Sequence, residues 1–83
     1  MKSKTTPEFW KRYDALPDEI QKLARKNFAL WKLNPRHPSL RFRPHGTGKW
    51  AARIGDHYRA IAYFDGETFI WTWIGTHEQY NKL

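Results

Sequence analysis

Two rhythms divide the chain. In the first third, Phe9, Tyr13 and Leu16 recur at helical spacing, and so do Ile20, Leu23, Ala24, Phe28 and Trp31. Each set is the apolar stripe of a helix that buries one side. Lys22, Arg25, Lys26 and Lys32 fall largely elsewhere around the second cylinder. Thr6-Pro7-Glu8 supplies a cap, a proline at the first helical position and an acid for the dipole. Pro17-Asp18-Glu19 repeats that start signal, and Asn34-Pro35 stops the second helix, because a residue before proline avoids the α region. Two amphipathic helices with almost no connector predict a helical hairpin that needs a cover.

After the prolines of residues 35–39 the period falls to two. A short strand is expected over 40–43, broken by Pro44-His45-Gly46-Thr47-Gly48, and longer strands over 49–54, 57–64 and 68–74. Gly55-Asp56 and Asp65-Gly66 separate them as tight hairpin signals. The fold class predicted is α+β, with the N-terminal helical hairpin packed on one face of a small antiparallel β-sheet. Two-residue turns would put Tyr58, Ala60, Ala62, Phe69, Trp71 and Trp73 on one face. Trp50, Ala52, Ile54, His57, Arg59, Ile61, Ile70 and Thr72 would lie on the other. The helices are expected on the first face, where alanines permit close approach and aromatics fill space. That leaves Arg59 in mid-strand on the opposite face, where it must snorkel, pair or meet an anion.

Composition sharpens this picture. The 83 residues hold one domain, 1–83, with no cysteine, so neither disulfides nor thiolate chemistry is available. Core density must come from the aromatic residues, five of them Trp. No apolar run approaches the ~20 residues of a membrane span, and the N-terminus lacks the apolar stretch of a secretory signal, so a cytoplasmic protein with no membrane partner is expected. The formal net charge is +7. Residues 1–50 carry twelve Lys/Arg against four Asp/Glu, and residues 51–83 three against four. Such a field favours a polyanion, RNA first among them.

The second half contains Trp50-Ala51-Ala52-Arg53-Ile54-Gly55, then Tyr58-Arg59-Ala60-Ile61, then Trp73-Ile74-Gly75-Thr76-His77, then Tyr80. Placed after a basic helical hairpin, this order and spacing resembles the RelE/ParE toxin superfamily of bacterial type II toxin–antitoxin systems over most of the chain. The resemblance implies a small sheet with two N-terminal helices on one face. Members often begin with a strand; residues 1–6 are short and polar, so that strand is expected to be minimal or absent. RelE-like members cut mRNA in the ribosomal decoding site without a metal, whereas ParE-like members poison DNA gyrase. The RelE-like branch is the expectation here, and a gyrase inhibitor or a degenerate toxin that only binds its antitoxin are the alternatives.

By resemblance, Arg59 would stabilise the phosphate, and His77 and Tyr80 would stand at the family's catalytic tail positions. Arginine suits that role because its planar fork grips phosphate oxygens. Histidine titrates near neutrality. The bland alternatives are a salt bridge from Arg59 to Glu78 or Asp56, a satisfied strand-end histidine, and a tyrosine plugging the sheet edge. RelE-like enzymes commonly add basic side chains beside the strand arginine, yet the two-residue register turns Lys49 and Arg53 away from it. Either the hairpin carries a bulge or the base is another residue, such as His57 or His45. Arg36, Arg41, Arg43, Lys49, Trp50 and Arg53 are expected to contact RNA. The histidines show no metal-ligand spacing, so no metal or cofactor is implied. The partners implied are a cognate antitoxin protein and mRNA on the ribosome, with its rRNA.

Overall fold

The computed structural model describes residues 2–83. The elements in chain order are β1 (Lys2–Thr5), α1 (Pro7–Asp14), α2 (Asp18–Leu33), a 3₁₀ turn (Pro38–Leu40), β2 (Arg43–Pro44), β3 (Lys49–Ile54), β4 (Tyr58–Phe64), β5 (Thr68–Thr76) and α3 (His77–Asn81). The five strands form one sheet in the order β1-β5-β4-β3-β2. The molecule is α+β, with the helical hairpin on one face, as expected.

The helices begin and end where the local chemistry dictates. The Thr6 hydroxyl accepts a hydrogen bond from the Phe9 N–H at 3.2 Å, and Pro7 follows at the first helical position. Gln21 closes the corner between the helices by donating from Nε2 to the Tyr13 and Leu16 carbonyls at 3.1 and 3.2 Å. The Leu16 carbonyl would otherwise go unpaired, while the Tyr13 carbonyl also accepts from the Leu16 N–H at 3.0 Å. At the far end of α2 the Asn34 N–H reaches the Leu30 carbonyl at 2.8 Å before Pro35 stops the helix.

One expectation about the sheet is corrected at its edge. β1 is present over Lys2–Thr5 and runs parallel to β5, pairing Lys2 with Thr68 and Thr5 with Trp71, so the sheet is mixed rather than antiparallel. (Met1 lies outside the described residues.) A polar Lys-Ser-Lys-Thr strand has no hydrophobic alternation because it is an edge, where lysines discourage further pairing. The short strand expected over 40–43 is also displaced. Pro38–Leu40 winds into a 3₁₀ turn, Arg41 adopts a left-handed conformation at φ 43°, and only Arg43 and Pro44 pair with β3.

The register differs from the two-residue expectation in two places. Ile54 pairs with Tyr58, so the first turn contains three residues, Gly55 to His57, rather than two. Gly55 takes φ +63°, which glycine adopts without steric cost. One extra residue flips every side chain of β3 relative to β4. Trp50, Ala52 and Ile54 therefore face the helices, and Lys49 and Arg53 join Arg59 on the open face. The second difference is a bulge, seen as a register shift at Ile61/Ala62 of β4. On β5 the pairing passes from Trp71 directly to Trp73 and leaves Thr72 as the extra residue. Trp73, expected beneath the helices, pairs with Ile61 on the open face instead, and Ile74 takes the core position at 1% exposure.

The core lies between the helices and the sheet. Trp31 is 1% exposed and meets Trp71, Phe69 and Phe42 edge-on at centroid distances of 5.3, 5.5 and 5.6 Å. Ala52, Ala60 and Ala62 make the floor shallow enough for these rings. Edge-to-face aromatic packing stabilises beyond the area it buries, which lets a domain this small hold together without staples.

Candidate functional site on the open sheet face

Residues paired directly across strands share a face, so the open face reads as rows. One row is Lys49, Tyr63 and Ile70; the next is Arg43, Ala51, Ile61 and Trp73; the third is Arg53, Arg59 and Gly75. The cations of the first and third rows thus flank a middle row that is apolar except for Arg43 at its edge. Beyond the strands, α3 folds back against β4 and β5. Its start is set by a capping box, in which the Thr76 hydroxyl accepts from the Gln79 N–H at 3.1 Å and Gln79 Oε1 accepts from the Thr76 N–H at 3.0 Å.

Arg59 is half-buried and donates from Nη1 to the Tyr58 carbonyl at 2.8 Å, with longer contacts to the Gly55 and Asp56 carbonyls at 3.4 Å. It meets no carboxylate. The Asp56 side chain instead pairs with Arg53, which also donates from Nε to the Gly55 carbonyl at 3.0 Å. Among the described residues, Glu78 takes no part in an ion pair, and none of Arg41, Arg43, Lys49 and Arg59 does. Burial pushes the Arg59 pKa below its ordinary value, and the positive charges of Arg53, Arg41 and Arg43 push the same way. Tyr80 acts in the opposite direction. The guanidinium remains charged at any physiological pH, so this is a site with excess positive charge and too few anions.

The tail brings proton-bearing groups to the same face. The Tyr80 hydroxyl lies 3.0 Å from His45 Nδ1, and the two rings are 4.7 Å apart. The His77 ring is 6.1 Å from the Tyr80 ring, and the Trp73 ring 6.5 Å. His77 is anchored through its main-chain N–H, which donates to the His57 carbonyl at 2.7 Å, so its exposed ring is free. Gly75 is required by the packing: a Cβ there would sit 2.7 Å from the Trp73 indole and 2.6 Å from Gln79 Oε1. Its absence lets the indole lie over Gly75, with the Arg12 guanidinium 5.9 Å from the ring centroid. A groove of about 490 Å³ opens here between His45, Lys49, Ile61, Thr72, Trp73 and Leu83.

The residues expected from sequence are therefore only partly together. Arg59, Arg53, Lys49, Arg43, His77 and Tyr80 share the open face. Trp50 does not: it stacks on Phe42 at 4.9 Å and meets Phe69 edge-on, on the helix face. It leaves the candidate RNA-contacting set. Arg36 sits exposed in the turn after α2, where its N–H is held by Asn34 Oδ1 at 3.1 Å. His45 is the residue whose partnership sequence reasoning missed, since 35 positions separate it from Tyr80. The sequence named it only as one possible base, without its partner. Among the described residues no three His, Asp or Glu side chains gather as a metal site would require. A second concavity of about 110 Å³ lies between the helices and the sheet, lined by Phe9, Trp10, Phe28, Trp31 and Trp71 among others. It is apolar, and its one lining tyrosine, Tyr13, is engaged with the Gln21 carbonyl and Arg25.

No family model and no curated protein sequence matches the chain. Solved structures do. YafQ from E. coli strain BL21(DE3) superposes with a TM-score of 0.76 at 13% identity, over 95% of this chain and 96% of that one. A chain of the RelB–RelE antitoxin–toxin complex from Methanococcus jannaschii gives 0.74 at 15% identity, with 94% of each chain covered. The YoeB/ParE toxin from Agrobacterium tumefaciens gives 0.72 at 18% identity, over 93% of this chain and 99% of that one. Over 93–95% of its length the chain has the fold of these RelE-, YafQ- and YoeB/ParE-type toxin structures.

Proposed function

We propose that this chain is the toxin of a type II toxin–antitoxin pair and acts as a metal-independent, ribosome-dependent mRNA endoribonuclease that inhibits translation. The observation that carries the reading is the grouping on one open face of uncompensated Arg59, its cross-strand neighbour Arg53, Lys49 two rows along, and the hydrogen-bonded Tyr80–His45 couple. Fold alone is no argument for the chemistry, because one fold hosts many activities. The chemistry follows from what RNA cleavage demands. The 2′-oxygen attacks phosphorus as it loses its proton, the P–O5′ bond breaks, and the 5′-oxygen gains a proton. The products are a 2′,3′-cyclic phosphate and a 5′-hydroxyl.

Arg59 is the phosphate ligand in this reading. Its guanidinium is held only by neutral carbonyls, so it can turn its remaining donors on the non-bridging oxygens, where charge grows in the transition state. Lys49 adds unpaired positive charge on the same face, and Arg53, whose charge is offset by Asp56, flanks Arg59 across the strand. Tyr80 and His45 form the proton-accepting couple: with Nδ1 unprotonated, His45 accepts from the Tyr80 hydroxyl and makes the phenol oxygen a better acceptor in turn. His57, the other histidine considered for this role, lies exposed on the first turn and meets this site only through its carbonyl. His77, exposed beside Tyr80, is placed to return a proton to the leaving 5′-oxygen.

The partners follow from the same reading. Among the structural neighbours is an antitoxin–toxin complex, and we take a cognate antitoxin to be this chain's partner as well. The ribosome and its mRNA are the target, consistent with the excess positive charge. No described helix is long and apolar enough to cross a membrane, and a cytoplasmic site of action belongs to the proposal.

The test is induction of the wild-type chain beside Arg59→Ala and His77→Ala in a bacterial host, with mRNA 5′ ends mapped in each culture. The reading predicts growth arrest with cuts inside translated codons, and loss of both in each variant. Arrest without such cuts would move the activity to gyrase. No arrest from a folded, abundant protein would leave a toxin that only binds its antitoxin.

A further inference from the structure

Arg41 is the one non-glycine among the described residues with positive φ, at φ 43° and ψ 42°. It closes the 3₁₀ turn Pro38–Leu40, donating its N–H to the Pro38 carbonyl at 3.3 Å. Glycine or asparagine is the usual occupant of such a left-handed cap, because a longer side chain brings its Cβ against the following carbonyl. The Arg41 side chain makes no hydrogen bond or ion pair among the described residues and is exposed, so nothing in the fold requires arginine there. Strain held at a position without structural benefit is a pointer to function.

The register shows what the position serves. Arg43, two residues on, pairs with Ala51, and Arg53 two residues beyond Ala51 pairs with Arg59. Arg43 thus lies two strand spacings from β4, roughly 10 Å across the sheet. The charges of Arg41 and Arg43 are felt at Arg59, yet neither has a carboxylate partner among the described residues. One phosphate gripped by Arg59 leaves this flank unoccupied.

We propose that Arg41 and Arg43 form a second phosphate subsite, which binds the phosphate adjacent to the scissile one on a single-stranded polynucleotide. This rests on the ribonuclease reading above and adds to it. The ligand must present at least two phosphates on a flexible backbone, because a single phosphate cannot span both arginine pairs. The strained cap at Arg41 sets the angle at which its side chain leaves the loop.

Three properties are measured on purified wild-type protein, Arg41→Gly, Arg41→Lys and Arg59→Ala. They are thermal stability, binding of adenosine 3′-monophosphate, and binding of a fluorescent single-stranded oligoribonucleotide at about 50 mM salt. Arg41→Gly is expected to melt at or a few degrees above wild type, because cap strain is relieved. It should bind the oligonucleotide about tenfold more weakly, as expected for one lost charge-assisted contact, and the mononucleotide unchanged. Its salt dependence should be shallower by about 0.7 in log–log slope, the loss of one single-strand phosphate contact. Arg41→Lys keeps most of the affinity, and Arg59→Ala weakens both ligands. If Arg41→Gly binds the oligonucleotide like wild type while Arg59→Ala does not, the subsite is wrong and the ribonuclease reading stands. If wild type binds neither ligand, or binds an acidic peptide in an Arg41-dependent way and RNA not at all, both are overturned. A clear loss of melting temperature in Arg41→Gly would make the arginine structural and also sink the proposal.

Discussion

Substitution of Gly55 tests the turn that assembles the open face. Gly55 holds φ +63°, and a Cβ built on it falls 2.9 Å from Leu23 Cδ2 of α2. Gly55→Ala therefore meets two penalties. The left-handed conformation costs an L-residue about 1–2 kcal/mol. The contact requires the end of the Leu23 side chain to shift by a few tenths of an ångström, a smaller term. Against these, alanine restricts the unfolded chain and recovers about 0.4–1 kcal/mol. The net loss is on the order of 1 kcal/mol, which lowers the melting temperature of a domain this size by about 4–8 °C. Gly55→Asn carries the same Cβ but tolerates the left-handed region better, so it should lose less than alanine. Urea unfolding followed by tryptophan fluorescence reads both, since Trp31 and Trp71 are buried in the core. If alanine and asparagine both match wild type, Gly55 is not left-handed. The three-residue turn would then fall, and with it the placement of Lys49 and Arg53 on the Arg59 face.

Three further outcomes follow from the same structure. Trp31→Ala removes the indole against which Trp71, Phe69 and Phe42 pack; a loss of about 3–5 kcal/mol consumes most of a small domain's stability, and near-ultraviolet circular dichroism should show tertiary structure largely gone. Asp65 accepts from the Thr68 and Glu67 N–H groups at 2.7 and 2.9 Å, and these bonds hold its carboxyl below the ordinary 3.8. A depressed acid stabilises the fold above its unfolded value and loses that contribution as pH falls through the folded one, so the melting-temperature deficit of Asp65→Ala should be full at about pH 7 and shrink below about pH 4. For cleavage, Tyr80→Phe and His45→Ala should each reduce the rate, and the double variant should lose little more than the worse single one, since the two act as a unit; additive losses would break the couple.

The parts of this molecule legible in its sequence are those decided locally. Thr6-Pro7-Glu8, Pro17-Asp18-Glu19 and Asn34-Pro35 bound the helices through caps and proline sterics that need no tertiary partner. Strand identity was equally visible in the alternation of β3 to β5. Facing was not, because parity along a hairpin depends on turn length and bulges. One residue at His57 and one at Thr72 moved Lys49, Arg53 and Trp73 to the Arg59 side and took Trp50 away. β1 was expected to be minimal or absent because its polar residues draw their order from Thr68 to Trp71, the strand they pair with. The site was legible as residue types but not as a constellation: Arg59, His77 and Tyr80 stood out in the second half, whereas His45 reaches Tyr80 only through the fold.

The central claim is that this face cuts translated mRNA with Arg59 on the phosphate. Its most direct test adds the purified protein to a reconstituted translation reaction with one defined mRNA and maps the products. The account predicts cuts within the reading frame, ending in a 2′,3′-cyclic phosphate and a 5′-hydroxyl, that require ribosomes and are abolished in Arg59→Ala. An intact message in the presence of folded wild-type protein, or cleavage that Arg59→Ala leaves unchanged, would contradict it.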